Sequence, residues 1–206
     1  RYVIVYNGEI YNFNQLRNKL IHLGNSFKGT SDTEVILASI NEWGVKKSLT
    51  FFNGMFSFAV WDKVDRILYL ARDRIGEKPM YYGLQNKTFF FSSELKALIV
   101  HPDFNADIEP KAFSQYLKFN YVPAPLSIYK SIFKLSPGNL LIHNPENHSI
   151  EIESYWSANK LINGSRKDYC SANESDVINQ LKNVLLKSVK SRMVSDVPVG
   201  AFLSGG

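Results

Sequence analysis

The chain has 206 residues, of which 45% are hydrophobic, 14% aromatic and 21% charged, a mix that supports a packed core and excludes a disordered tail or a collagen-like repeat. Its 24 basic and 19 acidic residues give a net charge of +5, which raises nucleic acid or a membrane as partners. Residues 1–110 are nevertheless almost balanced, basic runs never exceed two residues, and the longest apolar runs, Tyr2–Tyr6 and Ile67–Ala71, fall far short of the roughly 20 residues a membrane helix needs, so neither partner is expected.

Tyr2-Val-Ile-Val-Tyr6 is β-branched and aromatic and predicts a strand stopping in a turn at Asn7-Gly8. Phe13, Leu16, Leu20 and Leu23 recur at helical spacing up to Gly24, a glycine stop. Ser31 and Glu34 have capping-box spacing and predict a second helix through Ile36 and Ile40 to Gly44. From Met55 the pattern becomes strand: Met55–Trp61, Ile67–Ala71, Met80–Leu84 and Thr88–Phe91, separated by turn residues, predict an antiparallel meander. A short helix is expected from Ser93, another over Pro110–Phe119, and a strand pair around Pro137-Gly138. Helices with antiparallel strands make an α+β fold or a layered sandwich.

Residues 157–173, rich in Ser, Asn, Lys and Gly, read as a surface linker, and the domain boundary is placed near Tyr155. Beyond it, Val177, Ile178, Leu181, Val184, Leu185, Val189 and Met193 form an apolar stripe on a helix entered from Asn173-Glu174. Val197–Leu203 then predicts a buried strand running into Ser204-Gly205-Gly206. A strand feeding a glycine-rich turn is how phosphate cradles of α/β nucleotide sites begin.

Several groups admit a chemical and a structural reading. Asn7 with Gly8 offers a carboxamide and an unhindered N–H, a donor pair suited to an oxyanion, or simply a turn. Asp32 can bind an ammonium group or favour the helix N-terminus. The charged run Arg72–Lys78 can position a substrate or pair with itself to fix sheet packing. Cys170 is a nucleophile by type, but it lies in a polar linker with no histidine beside it. As the single cysteine it forms no internal disulfide, and the four histidines lack zinc spacing, so a reducing, cytoplasmic setting is expected.

Asn7-Gly-Glu-Ile-Tyr-Asn12, Ser31-Asp-Thr-Glu34, Phe52-Asn-Gly-Met-Phe-Ser-Phe-Ala-Val-Trp-Asp62, Arg72-Asp73 with Lys78-Pro79 and Tyr81-Tyr82, and Phe91–Leu98 occur in one order. Tyr121-Val-Pro-Ala-Pro125, Lys134–Gly138 and Val197–Gly206 extend it over nearly the whole chain. Together they resemble the glutamine-hydrolysing asparagine synthetases. The resemblance implies a four-layer αββα sandwich of the N-terminal-nucleophile hydrolase type over residues 1–155, a class II glutaminase. Residues 156–206 would be a linker and the first helix and strand of an α/β synthetase domain.

By the same resemblance, Asn7 and the Gly8 N–H would form the oxyanion hole, Glu9 and Asp32 would hold the α-ammonium group of glutamine, and Leu203, Ser204, Gly205 and Gly206 would begin the ATP loop. Substrates would be glutamine, aspartate and ATP, with Mg²⁺ accompanying the ATP, and the family is compatible with a homodimer. The nucleophilic cysteine and an arginine that grips the substrate carboxylate are expected upstream of Arg1, and the rest of the ATP loop after Gly206. The 206 residues are therefore expected to be an internal fragment without turnover of their own. Two alternatives stay open: an enzyme of the same architecture that amidates another carboxylate, such as a uronic acid in surface-polysaccharide synthesis, and a cysteine-less relative that is only a binding or structural module.

Overall fold

The structure, a computed structural model, describes residues 1–165, 173–195, 197–203 and 205. The chain divides into two compact units, Arg1–Ser157 and Ala158–Gly206. Unit 1 contains β1 (Tyr2–Ile10), α1 (Phe13–His22), α2 (Asp32–Trp43), α3 (Val45–Phe51), β2 (Gly54–Asp62), β3 (Ile67–Arg72), β4 (Tyr81–Gln85), β5 (Thr88–Ser92), α4 (Leu95–Ile99), α5 (Pro110–Phe119), β6 (Ile132–Lys134), β7 (Asn139–Asn144) and β8 (Ser149–Ser154). Unit 2 contains α6 (Ala158–Ser165) and α7 (Glu174–Ser191).

Two antiparallel sheets result, one of five strands in the order β1-β2-β3-β7-β8 and one of three in the order β5-β4-β6. Because strand side chains alternate between faces, β2 sends Phe56, Phe58 and Val60 to one side and Ser57 and Ala59 to the other. The first group packs with Leu16, Leu20, Val35, Ile36, Ile40 and Leu49 of the helices α1, α2 and α3. Ala59 joins Leu70 and Leu141 against Met80, Tyr82 and Leu135, the core between the sheets. On the far side Phe90 and Ile132 pack on Leu98 of α4. The order helix, sheet, sheet, helix is the four-layer sandwich expected from the sequence.

Three local expectations change. Strand β1 does not turn at Asn7-Gly8 but pairs with β2 as far as Ile10 opposite Gly54. A continuous ladder satisfies its backbone groups better than an isolated turn would. The meander breaks between β3 and β4, which lie in different sheets. The cause is Asp73, fully buried, whose carboxylate accepts from the N–H groups of Ile75 at 3.2 Å, Gly76 at 2.7 Å, Glu77 at 3.0 Å and Lys78 at 2.9 Å, curling the chain off the sheet. The strands flanking Pro137-Gly138 do not pair with each other either, since β6 joins β4 and β7 joins β3. The tight turn there serves another purpose: the Gly138 N–H reaches the Asp73 carbonyl at 2.8 Å, and a Cβ at Gly138 would lie 2.4 Å from the Trp156 carbonyl oxygen.

Helix starts were legible. Ser31 Oγ accepts from the Thr33 N–H at 3.0 Å, the N-cap expected of α2. Glu34 does not close the capping box; it accepts from the N–H groups of Lys28 and Gly29 at 2.8 and 2.9 Å, which hold its carboxyl below the usual range. Helix α5 runs over Pro110–Phe119 as the sequence predicts, capped by Glu109 and ended by left-handed Asn120. In unit 2 the linker region contains α6, and α7 forms with Asn173 as its N-cap. The expected strand Val197–Leu203 does not form. A lone strand has no ladder for its N–H and C=O groups, and among the described residues no other segment pairs with this one.

Candidate active site

On β1, alternation places Asn7 opposite Ser57 and Val5 opposite Ala59, so Asn7 shares the face that looks toward the second sheet. There a cavity of about 230 Å³ opens between the sheets, lined by Asn7, Ser57, Met80, Phe91, Ser92 and Ser93 among others. Asn7 is exposed at its edge, and its Nδ2 donates to Ser93 Oγ at 3.2 Å. A primary amide has two N–H donors, so one remains for an oxygen arriving from the cavity side. Ser57 is 1% exposed, and its Oγ has no hydrogen-bond partner among the described residues.

Gly8 sits next to this carboxamide with φ +147, a conformation that favours glycine. A Cβ here would lie 2.1 Å from the carbonyl oxygen of Met55 on β2. Gly8 is not in a turn: the neighbouring strand requires glycine here because the two backbones approach closely.

Asp32, the first residue of α2, reaches back to the same strand. Its Oδ2 accepts from Tyr6 Oη at 2.7 Å and from the Ile10 N–H at 3.0 Å. Burial and the bond to Asp32 push the Tyr6 phenol far above its usual range, and the charges of Asp32 and Glu9 act in the same direction. Both effects favour the neutral phenol that donates to Asp32. Asp32 thus does more than begin a helix: it joins the start of α2 to β1. Glu9 is exposed one residue before Ile10, on the Asn7 face. Tyr6, Ser57 and Ser93 were not singled out by the sequence; the period-two alternation along β1 and β2 was the signal that pairs Asn7 with Ser57.

Arg72 donates to the carbonyls of Lys78 at 2.7 Å, Leu135 at 2.7 Å and Gly76 at 2.9 Å, and Asp73 also accepts from the Phe56 N–H at 3.2 Å. Arg72 and Asp73 thus fix this loop through backbone groups. Leu203 is 94% exposed and Gly205 has open space around it. Ser204, Gly206 and Cys170 lie outside the described residues. Among the described residues no three His, Cys, Asp or Glu side chains gather as metal ligands.

Residues 1–156 match the glutamine amidotransferase domain family. The chain belongs to that family. Residues 180–206 match a second family, asparagine synthase. The chain is 37% identical to glutamine-hydrolyzing asparagine synthetase 1 of Bacillus subtilis over 206 residues, covering 100% of this chain and 31% of that protein. It is 39% identical over 207 residues to a putative glutamine-hydrolyzing asparagine synthetase of Methanocaldococcus jannaschii, covering 99% of this chain and 38% of that one. The chain thus spans about a third of the length of these curated relatives. Among solved structures, the glutamine phosphoribosylpyrophosphate amidotransferase of B. subtilis superposes with a TM-score of 0.52 at 23% identity, over 75% of this chain and 29% of that one. The likeness shows the fold, that of the N-terminal-nucleophile amidotransferases. Among the described residues no helix is long and apolar enough to cross a membrane.

Proposed function

We propose that this amidotransferase chain serves glutamine-dependent asparagine synthesis: glutamine is hydrolysed to glutamate and ammonia, and the ammonia amidates an ATP-activated aspartate to give asparagine, AMP and pyrophosphate. The observation that carries the reading is Asn7 at the edge of the inter-sheet cavity, with Gly8 next to it in the chain and Asp32 bonded to the same strand. The second N–H of Asn7 and the Gly8 N–H are neutral, fixed donors suited to the oxygen that gains charge when the glutamine carboxamide is attacked. Both hydrogen bonds to Asp32 land on Oδ2, so Oδ1 is the oxygen that would meet the α-ammonium group, with Glu9 as the second carboxylate. The family order, amidotransferase first and asparagine synthase second, supports coupling of the two reactions.

In this reading residues 1–155 are the glutaminase and 156–206 the linker and beginning of the synthetase domain, where Leu203–Gly206 start the ATP loop and Mg²⁺ arrives with the nucleotide. In this reading the enzyme works in the cytoplasm on small molecules, with a homodimer as its possible assembly and without nucleic acid or membrane.

The test uses the complete enzyme that contains this chain, supplied with glutamine, aspartate and ATP. Asparagine, AMP and pyrophosphate are the expected products. Asp32→Ala should raise KM for glutamine strongly and leave ammonia-dependent synthesis nearly unchanged. Loss of both activities together would return Asp32 to a purely structural role, while glutamine consumption without asparagine would point to another carboxylate acceptor such as a uronic acid.

A further inference from the structure

A second cavity, of about 440 Å³, lies on the other side of the three-stranded sheet. Met80 lines the cavity beside Asn7, and the next residue, Tyr81, lines this one, so consecutive side chains face different spaces. Its wall is apolar: Ile108, Phe113, Tyr116 and Tyr121 contribute to it. Phe113 and Tyr116 are three apart on α5, hence on one face of the helix, and both are about half exposed. A volume in this range suits a small organic ligand, since binding cavities usually hold roughly 300–1,000 Å³.

One cation stands in that wall. Lys134 is half-buried on β6, and its Nζ donates to the Val122 carbonyl and lies 6.0 Å from the centre of the Tyr81 ring. It makes no ion pair among the described residues. Burial lowers the affinity of Lys134 for its proton, and the positive charge of Arg72 acts the same way. The donors of Arg72 go to three backbone carbonyls, and among the described residues neither Arg72 nor Lys134 has a carboxylate at ion-pair distance. The ammonium group has three N–H donors and the Val122 carbonyl takes one, which leaves donors for an anion entering the cavity.

We infer that the cavity formed by Tyr81, α5, the Tyr121 segment and Lys134 is a binding site for a small amphiphilic carboxylate, its aromatic or branched body among Phe113, Tyr116 and Ile108 and its carboxylate on Lys134. A single ammonium group with tyrosines around it matches one negative charge; a phosphate dianion calls for several converging donors, which this wall lacks. The site is separate from the Asn7 cavity and does not depend on the reading of that cavity as a glutaminase.

The experiment titrates 4-phenylbutyrate into the 206-residue chain and follows the amide resonances of α5, with 4-phenyl-1-butanol as the uncharged control. Saturable binding of the acid is expected, weakened about tenfold or more when the carboxylate is replaced by the alcohol or when Lys134 is changed to Met, the scale of one charge-assisted contact. Lys134→Arg should restore most of the affinity. Tyr116→Ala, on an exposed helix face where folding is safe, should weaken the acid and the alcohol alike. The proposal is overturned if the acid does not saturate, if the alcohol binds equally well, or if Lys134→Met leaves binding unchanged. It is also overturned if the α5 resonances respond to protein concentration and not to the acid, because a second copy would then be the occupant.

Discussion

Helices α2 and α7 carry the same kind of apolar periodicity and meet different fates. In α2 the stripe of Val35, Ile36 and Ile40 is buried against β1 and β2, whereas in α7 no residue is buried and Leu185 remains 55% exposed. Both have an N-cap from a side chain, Ser31 in one and Asn173 in the other, and acidic residues in the first turn. The difference shows that capping and periodicity are enough to define a helix, while burial of its stripe depends on a partner surface within the same unit. Strands are less independent: β1 and β2 form a nine-residue ladder, and Val197–Leu203, with a comparable apolar pattern, forms none among the described residues.

The contrast can be broken by substitution. Phe58 is fully buried in unit 1, stacked on Phe56 with centroids 5.7 Å apart and edge-on to Phe52 at 6.5 Å. Phe58→Ala should cost about 3–5 kcal/mol in urea unfolding, the range for an aromatic removed from a packed core. A smaller but still large loss, about 2–3 kcal/mol, is expected for Gly8→Ala, because the new Cβ meets the Met55 carbonyl and the backbone there disfavours an L side chain. Equal stability of the Gly8 variant and the parent would mean that β1 can move away from β2, and the tight ladder would lose its role.

A pH effect is expected at the other end of the same ladder. Asp62 is buried, receives Arg1 Nη2 at 2.7 Å and the N–H groups of Val64 and Asp65, and these bonds lower its carboxyl to about 2. An acid whose affinity for protons is lower in the folded chain stabilises it fully above the unfolded pKa, near 3.9. That contribution should fade as pH falls from about 4 to about 2, and Asp62→Asn should flatten the dependence in thermal melts taken across this window. The smallest effect belongs to unit 2: Leu185→Ala on α7 should change unfolding stability by less than about 0.5 kcal/mol, as for other exposed sites. A loss of several kcal/mol would show that its stripe is covered in solution.

The candidate site was partly legible. Asn7, Gly8, Glu9 and Asp32 stand in motifs whose residue types suggest their chemistry, and the structure puts Asn7 at a cavity edge and bonds Asp32 of α2 to the strand that carries Asn7. Ser57 and Ser93 could not be read as neighbours of Asn7, since they are 50 and 86 positions away and meet it only through strand register and the facing of two sheets. Nor could Asp73 be recognised as the anchor of a loop: an Arg-Asp pair in sequence suggests an ion pair, but the folded chain gives each residue backbone partners.

The amino-acid sequence by itself determined the elements whose physics is local: the cap of α2 at Ser31, the span of α5 from Pro110 to Phe119, and the apolar face of α7. Only the tertiary structure decided that β3 and β4 enter different sheets, that β6 and β7 part company at Gly138, and that Gly8 must be glycine because Met55 lies against it. Those outcomes depend on contacts between residues far apart in the chain, where hydrogen-bond satisfaction and close packing choose among arrangements that the local pattern leaves equal.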